Sequence, residues 1–299
     1  MQLRYTLRQL SVFLAVAQTG STTAAGKALS MSQSAVSAAL GDLERAAAER
    51  LFDRHGRRLV LNDAGRALQP QVAALLDAAH NLGREFESPG ISLRIAASST
   101  IGIYVLPPIL ARFRKAHPNA RLTVQIGNTR EVVAAIKSFD ADIGLIEGRA
   151  HDPTMQVEHW LEDELVVVTA PGNPLARGDR HGDLAQGHWL VREPGSGTRE
   201  FIEEQLGNVL GTLNIVLELG NSEAIRRTLL NGYGISCMSR HVIADDLEYG
   251  RLTQVSAGLP ILRRTLSIIQ VAGKTPTRGL AAFHAFLEAY AVMARQGAA

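Results

Sequence analysis

A chain of 299 residues, 46% hydrophobic and 20% charged, is long enough for two or three domains and has the composition of an ordinary globular protein. Its single cysteine, Cys237, excludes an internal disulfide, and no signal-peptide core or apolar run of spanning length is present, so a cytoplasmic protein with no membrane partner is expected. The net charge of +2 hides an asymmetry: residues 1–66 hold nine Lys/Arg and five Asp/Glu while the rest holds 22 and 24, which points to a basic nucleic-acid module joined to a near-neutral body.

The spacing of Leu7, Leu10, Phe13, Leu14 and Ala17 predicts a first helix, ended by Gly20. Ser21 stands where it can cap a short second helix through Leu29, with Ala24, Ala25 and Ala28 inward. After a tight Ser30-Met31 connection, Ser32 caps a third helix to about Glu44. In that helix Val36, Leu40 and Leu43 form the buried stripe. Gln33, Ser34, Ser37, Ala38 and Gly41 form the opposite face. A helix entering a major groove about 12 Å wide needs such small and hydrogen-bonding residues near its start. A solvated surface helix is the plain alternative, but it would normally carry Lys and Glu there. The run "RLFDRHGRRLVLNDAG", residues 50–65, reads as a short hairpin whose Arg57 and Arg58 reach phosphates, contacts that position a protein without reading sequence.

The stretches "LRQLSVFLAVAQTGSTTAAGKALSMSQSAVSAALGDLE" and "LFDRHGRRLVLNDAG" closely resemble the winged helix-turn-helix of the LysR-type transcriptional regulators. Two departures stand out. Asn62 replaces the usual Thr of the wing, and Ala47-Ala48 stands where Leu-Gly is common. The resemblance implies double-stranded promoter DNA as partner. Gln33, Ser34 and Ser37 would lie near bases, and Thr22, Thr23, Ser32, Arg54, Arg57 and Arg58 would complete the DNA-contacting set.

Beyond the wing, Leu68, Val72, Leu75, Ala79, Leu82 and Phe86 recur at spacings of four and three, a heptad seam that asks for a partner helix. Packing on its own domain is the alternative. Pro70 either kinks this helix or marks a late start. The resemblance implies a dimerisation helix, and "ESPG", Glu87 to Gly90, ends it.

From residue 91 short apolar runs alternate with helix-like stretches: "LRIAA", Leu122-Val124-Ile126, "DIGLIE", "ELVVVTA", "HWLVRE", "NIVLEL", "GISCMS" and "TLSIIQV". This predicts an α/β fold with largely parallel pairing and a ligand outside the carboxyl ends of the strands. Two strand-to-helix turns are unusually polar, Ser98-Ser99-Thr100 and Gly195-Ser196-Gly197-Thr198-Arg199. Each reads as a helix cap on its own. Facing each other, they would clamp a small oxyanion or carboxylate with helix N-termini and hydroxyls.

Here too the chain is similar to the family, whose effector domain is a periplasmic-binding-protein-like pair of α/β subdomains. "SSTIGIYVLP", "ADIGLIEG", "EPGSGTRE" and "GNSEAI" look most like the branch sensing sulfur- or carbon-assimilation metabolites. By position the resemblance implies an effector site of Ser98, Ser99, Thr100, Asn128, Glu147, Ser196, Gly197, Thr198, Arg199 and Asn221. Glu147 is awkward beside a dianion; it would accept from a ligand amine, meet a protonated species, or hold a backbone loop. Arg199 would either reach the anion or pair with Glu193, Glu200 or Glu203.

An enzyme is the main rival. Against it, there is no P-loop lysine motif and no Gly-x-Ser-x-Gly elbow, and Cys237 sits in an apolar run where a thiol is inert. His181 and His188 are the only metal candidates and a weak pair, so no metal or cofactor is expected. An anion-binding enzyme or a solute-binding module fused to a DNA-binding domain remains the alternative. The expected organisation is therefore an all-α winged helix-turn-helix at 1–62, a linker helix at 63–90 and an effector domain at 91–299. The first subdomain of that domain takes 91–162 plus 267–299, and the second takes 163–266. Assembly as a homodimer or homotetramer, with RNA polymerase as a further partner, follows from the resemblance.

Overall fold

The computed structural model describes residues 4–55, 58–87, 91–177, 184–255 and 258–296; Arg57, His181 and the side chains of Leu82 and Phe86 lie outside that description. The chain forms two compact units, 1–89 with 271–277, and 90–270 with 278–299.

The first unit packs α1 (Leu7–Thr19), α2 (Thr22–Ala28) and α3 (Gln33–Ala47) around Val12, Phe13, Val16, Ala25, Val36 and Leu43. Each start and stop has a local cause. Thr6 and Gln9 form a capping box, Ser21 and Ser32 accept from Ala24 and Ala35 backbone N–H, and Gly20 ends α1 at φ 66°. Helix α3 runs three residues beyond the expected Glu44, to Ala47. Of the three alanines expected inward on α2, only Ala25 is buried; Ala28 is exposed and Gly26 takes its place. A methyl on Gly26 would lie 2.7 Å from the Met31 carbonyl, so α2 and the following turn touch through backbone.

The wing is the antiparallel pair β1 (Phe52–His55) and β2 (Arg58–Leu61), with Phe52 opposite Leu61. Asn62 ties the wing to the next helix: its Oδ1 accepts from Gly65 N at 2.8 Å, and its Nδ2 donates to the Arg50 carbonyl at 2.7 Å. That helix, α4 (Asp63–Glu87), contains Pro70 and starts before it, which overturns the late start. The expected seam is also split. Val72, with Leu76, is buried in the core of its own unit, whereas Leu75 is 44% exposed. Lys274 meets Asp77 of α4 at 3.0 Å, both buried.

The second unit holds β3 (Ser92–Ser98), α5 (Leu106–Ala116), β4 (Arg121–Gly127), α6 (Thr129–Lys137), β5 (Ile143–Glu147), β6 (Met155–Thr169), β7 (Trp189–Arg192), α7 (Gly197–Leu210), β8 (Ile215–Leu219), α8 (Ser222–Leu230), β9 (Ile235–Ser239), α9 (Arg240–Glu248), β10 (Thr253–Gln254), β11 (Leu262–Val271) and α10 (Arg278–Arg295). Its sheet runs β4-β3-β5-β11-β6-β9-β7-β8, with β10 on β6. The eight expected strands are all present. Pairing is parallel toward the two ends, β3 with β4 and β5, β7 with β8 and β9, but antiparallel in the middle, where β11 meets β5 and β6 meets β9. The fold is thus mixed at its centre rather than largely parallel throughout.

That centre is two long strands shared by two halves. Strand β6 gives Trp160 and Leu161 to the first core, with Phe113 and Phe283, and Leu165 and Val167 to the second, with Trp189 and Ile202. Strand β11 likewise gives Leu266 to the first and Leu262 to the second. Strands β5, β7 and β9 are buried on both faces, which is why they read as continuous apolar runs. Helix α10 packs on the first half, where Phe283 and Leu287 join its core and Trp160 Nε1 donates to the Leu287 carbonyl at 2.8 Å.

A π-helical turn, Ile101–Val105, precedes α5. Pro107 and Pro108 lack the N–H groups that α-type bonds to Ile103 and Tyr104 would use, so the backbone widens and Leu106 N bonds Ile101 O instead. Such turns recur at functional sites. This one lies directly after Ser98-Ser99-Thr100.

Candidate functional site

Two regions gather the residues singled out by sequence. On the first unit, Ser32, Gln33, Ser34 and Ser37 lie on the exposed N-terminal half of α3, and Thr23, Arg54 and Arg58 are exposed beside it. Gln33 is held in place: its Nε2 lies 2.9 Å from Ser37 Oγ and 3.2 Å from Thr22 Oγ1. Ser32 caps α3 and also meets Ser34 Oγ at 3.0 Å. Between α3 and the wing lies a cavity of about 400 Å³ lined by Thr22, Ser37, Gly41, Arg50, Arg54 and Leu59. Glu44 lines it too, its carboxylate taken by Leu51 N at 2.8 Å; the two arginines, small residues and hydroxyls suit a nucleic-acid backbone lying beside base edges.

The second region is the seam between the two halves of the second unit. Ser98, Ser99, Thr100, Glu147, Ser196 and Thr198 are all buried there. The anion at its centre is the chain's own. Glu147 accepts from Thr100 N at 2.7 Å and from Thr198 Oγ1 at 2.6 Å, and pairs with Arg264 at 3.0 Å. Arg264, from β11, also donates to Thr198 Oγ1 at 2.7 Å and through Nε to Asp163 Oδ2 at 2.8 Å. Burial alone would raise the Glu147 carboxyl; Arg264, Thr198 and Arg192 outweigh it and hold it down at about 2. Glu147 is therefore ionised at neutral pH and fastens the turn at Thr100 in one half to the start of α7 in the other.

A second cation, Arg192 at the end of β7, is 2% exposed. Its Nε and Nη2 grip both oxygens of Glu193 at 2.8 and 2.9 Å, and its Nη1 donates to Ser99 Oγ and, at 3.2 Å, to Ser222 Oγ. Asn128 caps α6 with its Oδ1 and sends its Nδ2 to Glu193 at 3.2 Å. Tyr104, on the π turn, donates to Glu223 of α8 at 2.7 Å, and burial and Glu223 push its phenol up. Gly197 has to be glycine. A Cβ there would stand 1.8 Å from the Glu147 carbonyl, and Gly197 N reaches Thr129 Oγ1 at 3.2 Å. Ser196 occupies the N-cap of α7 without a side-chain cap bond, unlike Ser32, Asn128 and Asn221 at their helices.

Asn221 stands away from the cleft, and Arg199 takes the second of the two courses left open for it. Arg199 pairs with Glu203 and donates to the Arg192 carbonyl, turned away from the clamp. Asn221 is exposed and caps α8; its neighbour Ser222 is the one that meets Arg192. Sequence reading missed Arg192, Arg264, Asp163, Ser222 and Tyr104. The available signal was a charge standing inside or at the end of an apolar strand, as in "HWLVRE". Cys237 is buried, and burial pushes its thiol up to about 12. His188 packs on Tyr233, ring centres 5.6 Å apart. Glu158, His284 and Glu288 bring ligand atoms within 4.8 Å of one another, but both imidazole nitrogens already face carboxylates, Glu158 of β6 at 2.9 Å and Glu288 of the same helix at 3.4 Å.

Residues 7–66 match the family model for the bacterial regulatory helix-turn-helix protein, lysR family, and residues 87–291 that for the LysR substrate binding domain. The chain is 49% identical over 262 residues to the HTH-type transcriptional regulator YeiE of Escherichia coli strain K12, itself uncharacterized, covering 87% of this chain and 89% of that one. It is 32% identical over 267 residues to the HTH-type transcriptional regulator CysL of Bacillus subtilis strain 168, with the same two coverages. Among solved structures, the regulatory domain of Synechocystis PCC6803 CcmR in complex with 2-PG shares the fold at TM-score 0.61 and 24% identity, over 66% of this chain and 96% of that one.

Proposed function

The chain belongs to the LysR-type transcriptional regulators, and we propose that its grip on promoter DNA is set by a small anion received between the two halves of its second unit. Members of this family bind DNA through the helix-turn-helix, carry an effector-binding domain and form oligomers. In our reading Gln33, Ser34 and Ser37 face base edges, while Thr22, Thr23, Ser32, Arg54, Arg57 and Arg58 serve phosphates. The effector meets Ser99, Asn128 and Ser196 together with Arg192 and Ser222. Glu147, Thr100 and Thr198 form the fixed floor beneath it rather than direct ligands. The chain acts as a cytoplasmic homotetramer that contacts RNA polymerase and catalyses no reaction. The effector belongs among sulfur oxyanions, carboxylates and phosphates.

The observation that carries this reading is the buried Arg192 guanidinium, joined to Ser99 of one half and Ser222 of the other. A buried cation bonded to both halves is where an arriving anion alters most how the halves are held together. For the DNA face the test is Gln33→Ala. It should reduce discrimination between cognate and mismatched duplexes by about 1–3 kcal/mol in gel-shift competition, and undiminished discrimination would remove Gln33 from the base-reading set.

A further inference from the structure

We propose that the Glu193 carboxylate is an internal surrogate ligand, occupying the seat that the effector's anionic group takes over. This rests on the cleft being the effector site. Glu193 is held as a bound anion would be. Its two oxygens take the fork of Arg192 at 2.8 and 2.9 Å, and one of them also accepts from Asn128 Nδ2 at 3.2 Å. The donors come from both halves, β7 on one side and the cap of α6 on the other. A further guanidinium stands close by. Arg130 N bonds the Gly195 carbonyl at 3.1 Å, and a methyl on Gly195 would come within 3.0 Å of Arg130 Nε. Arg130 is exposed.

The two carboxylates of the cleft differ in what would release them. Glu147 is fully buried and tied by Arg264, Thr198 and the Thr100 amide. The Glu193 side chain is 22% exposed and sits on the "EPGSGT" turn, whose Gly195 has a φ of 98°. It can swing to water without disturbing a strand. Arg192, 2% exposed, cannot follow and has to keep an anionic partner in every state. An incoming oxyanion also meets repulsion from Glu193 for as long as Glu193 stays. Exchange, with one anion leaving as the other arrives, satisfies both conditions. It moves the turn that leads into α7, the helix fastened through Gly197 and Thr198 to the opposite half.

The experiment uses the full chain with inorganic sulfate and acetate as probes, titrated by calorimetry and by thermal shift. Glu193→Gln removes the charge and keeps the shape. It should bind one or both probes at least tenfold more tightly than the natural chain, and its melting temperature should become dependent on the anion. Adding Arg192→Gln to Glu193→Gln should abolish that gain, and Arg192→Lys, which keeps the charge and loses the fork, should retain part of it. Equal affinities in the natural chain and Glu193→Gln overturn the surrogate, as does a gain that survives loss of Arg192. Should the tenfold gain appear while the probes leave promoter gel-shifts of Glu193→Gln unchanged, the cleft is not the effector site and the proposal built on it falls with that reading.

Discussion

Ala48 carries the left-handed turn that ends α3, at φ 54°. A Cβ is disfavoured there and glycine is not, so Ala48→Gly is expected to stabilise the first unit by about 0.5–1 kcal/mol, glycine's greater unfolded freedom offsetting part of the gain. A urea midpoint that falls instead would show that the methyl packs usefully. Glu147 makes a prediction of the same kind with pH as the variable. Its folded-state value of about 2 lies below the ordinary 4.5, so the stabilisation is complete above 4.5 and is lost as pH falls through 4.5 toward 2. The gap corresponds to about 3 kcal/mol. Glu147→Gln should therefore cost about that much near neutrality, with the difference narrowing in acid. Denaturant curves at neutral pH and near pH 3 check this, and an undiminished difference in acid would contradict it.

At the scale of elements, α4 is where the heptad seam and the fold compete for the same residues. Val72 and Leu76 are spent on the core of their own unit, while Leu75 stays 44% exposed. Leu75→Glu should weaken self-association at least tenfold, about 1.4 kcal/mol, with the helical signal intact. Sedimentation velocity reads the outcome, and an unchanged oligomer would take Leu75 out of the interface. The same helix shows why the sequence was legible in some places and not in others. Gly20, Ser21, Ser32, Asn62 and Asn128 act on backbone within four residues, so their roles can be read from the sequence alone. Strands β5, β7 and β9 declare themselves by unbroken apolar runs. Val72 stayed open between two readings because a heptad seam and a core stripe share spacing and differ only in what lies opposite. Arg192 and Arg264 were missed because their partners Ser99 and Thr198 lie 93 and 66 positions away, brought near only by the crossing of β6 and β11.

At the scale of the whole molecule, the first unit has its own core around Phe13 and Val36, and the second has cores around Phe113 and Trp189 that share no residue with it. Separate cores melt separately unless coupling between them is strong. Two transitions are thus expected in calorimetry, and each ligand should label one of them. A short duplex DNA at low salt should raise only the first, because its counter-ions are released by the exposed arginines around α3 and the wing, and the effect should fade as salt is added. A cleft anion should raise only the second, by about 2.7 kcal/mol at a hundred times its dissociation constant. Regulation needs something beyond this independence, a free energy by which occupancy of one unit alters the other. With both ligands present, that coupling is the departure of the two shifts from additivity. A regulator requires a departure of about 1–3 kcal/mol, and strictly additive shifts would mean that the anion stabilises the second unit without governing DNA binding.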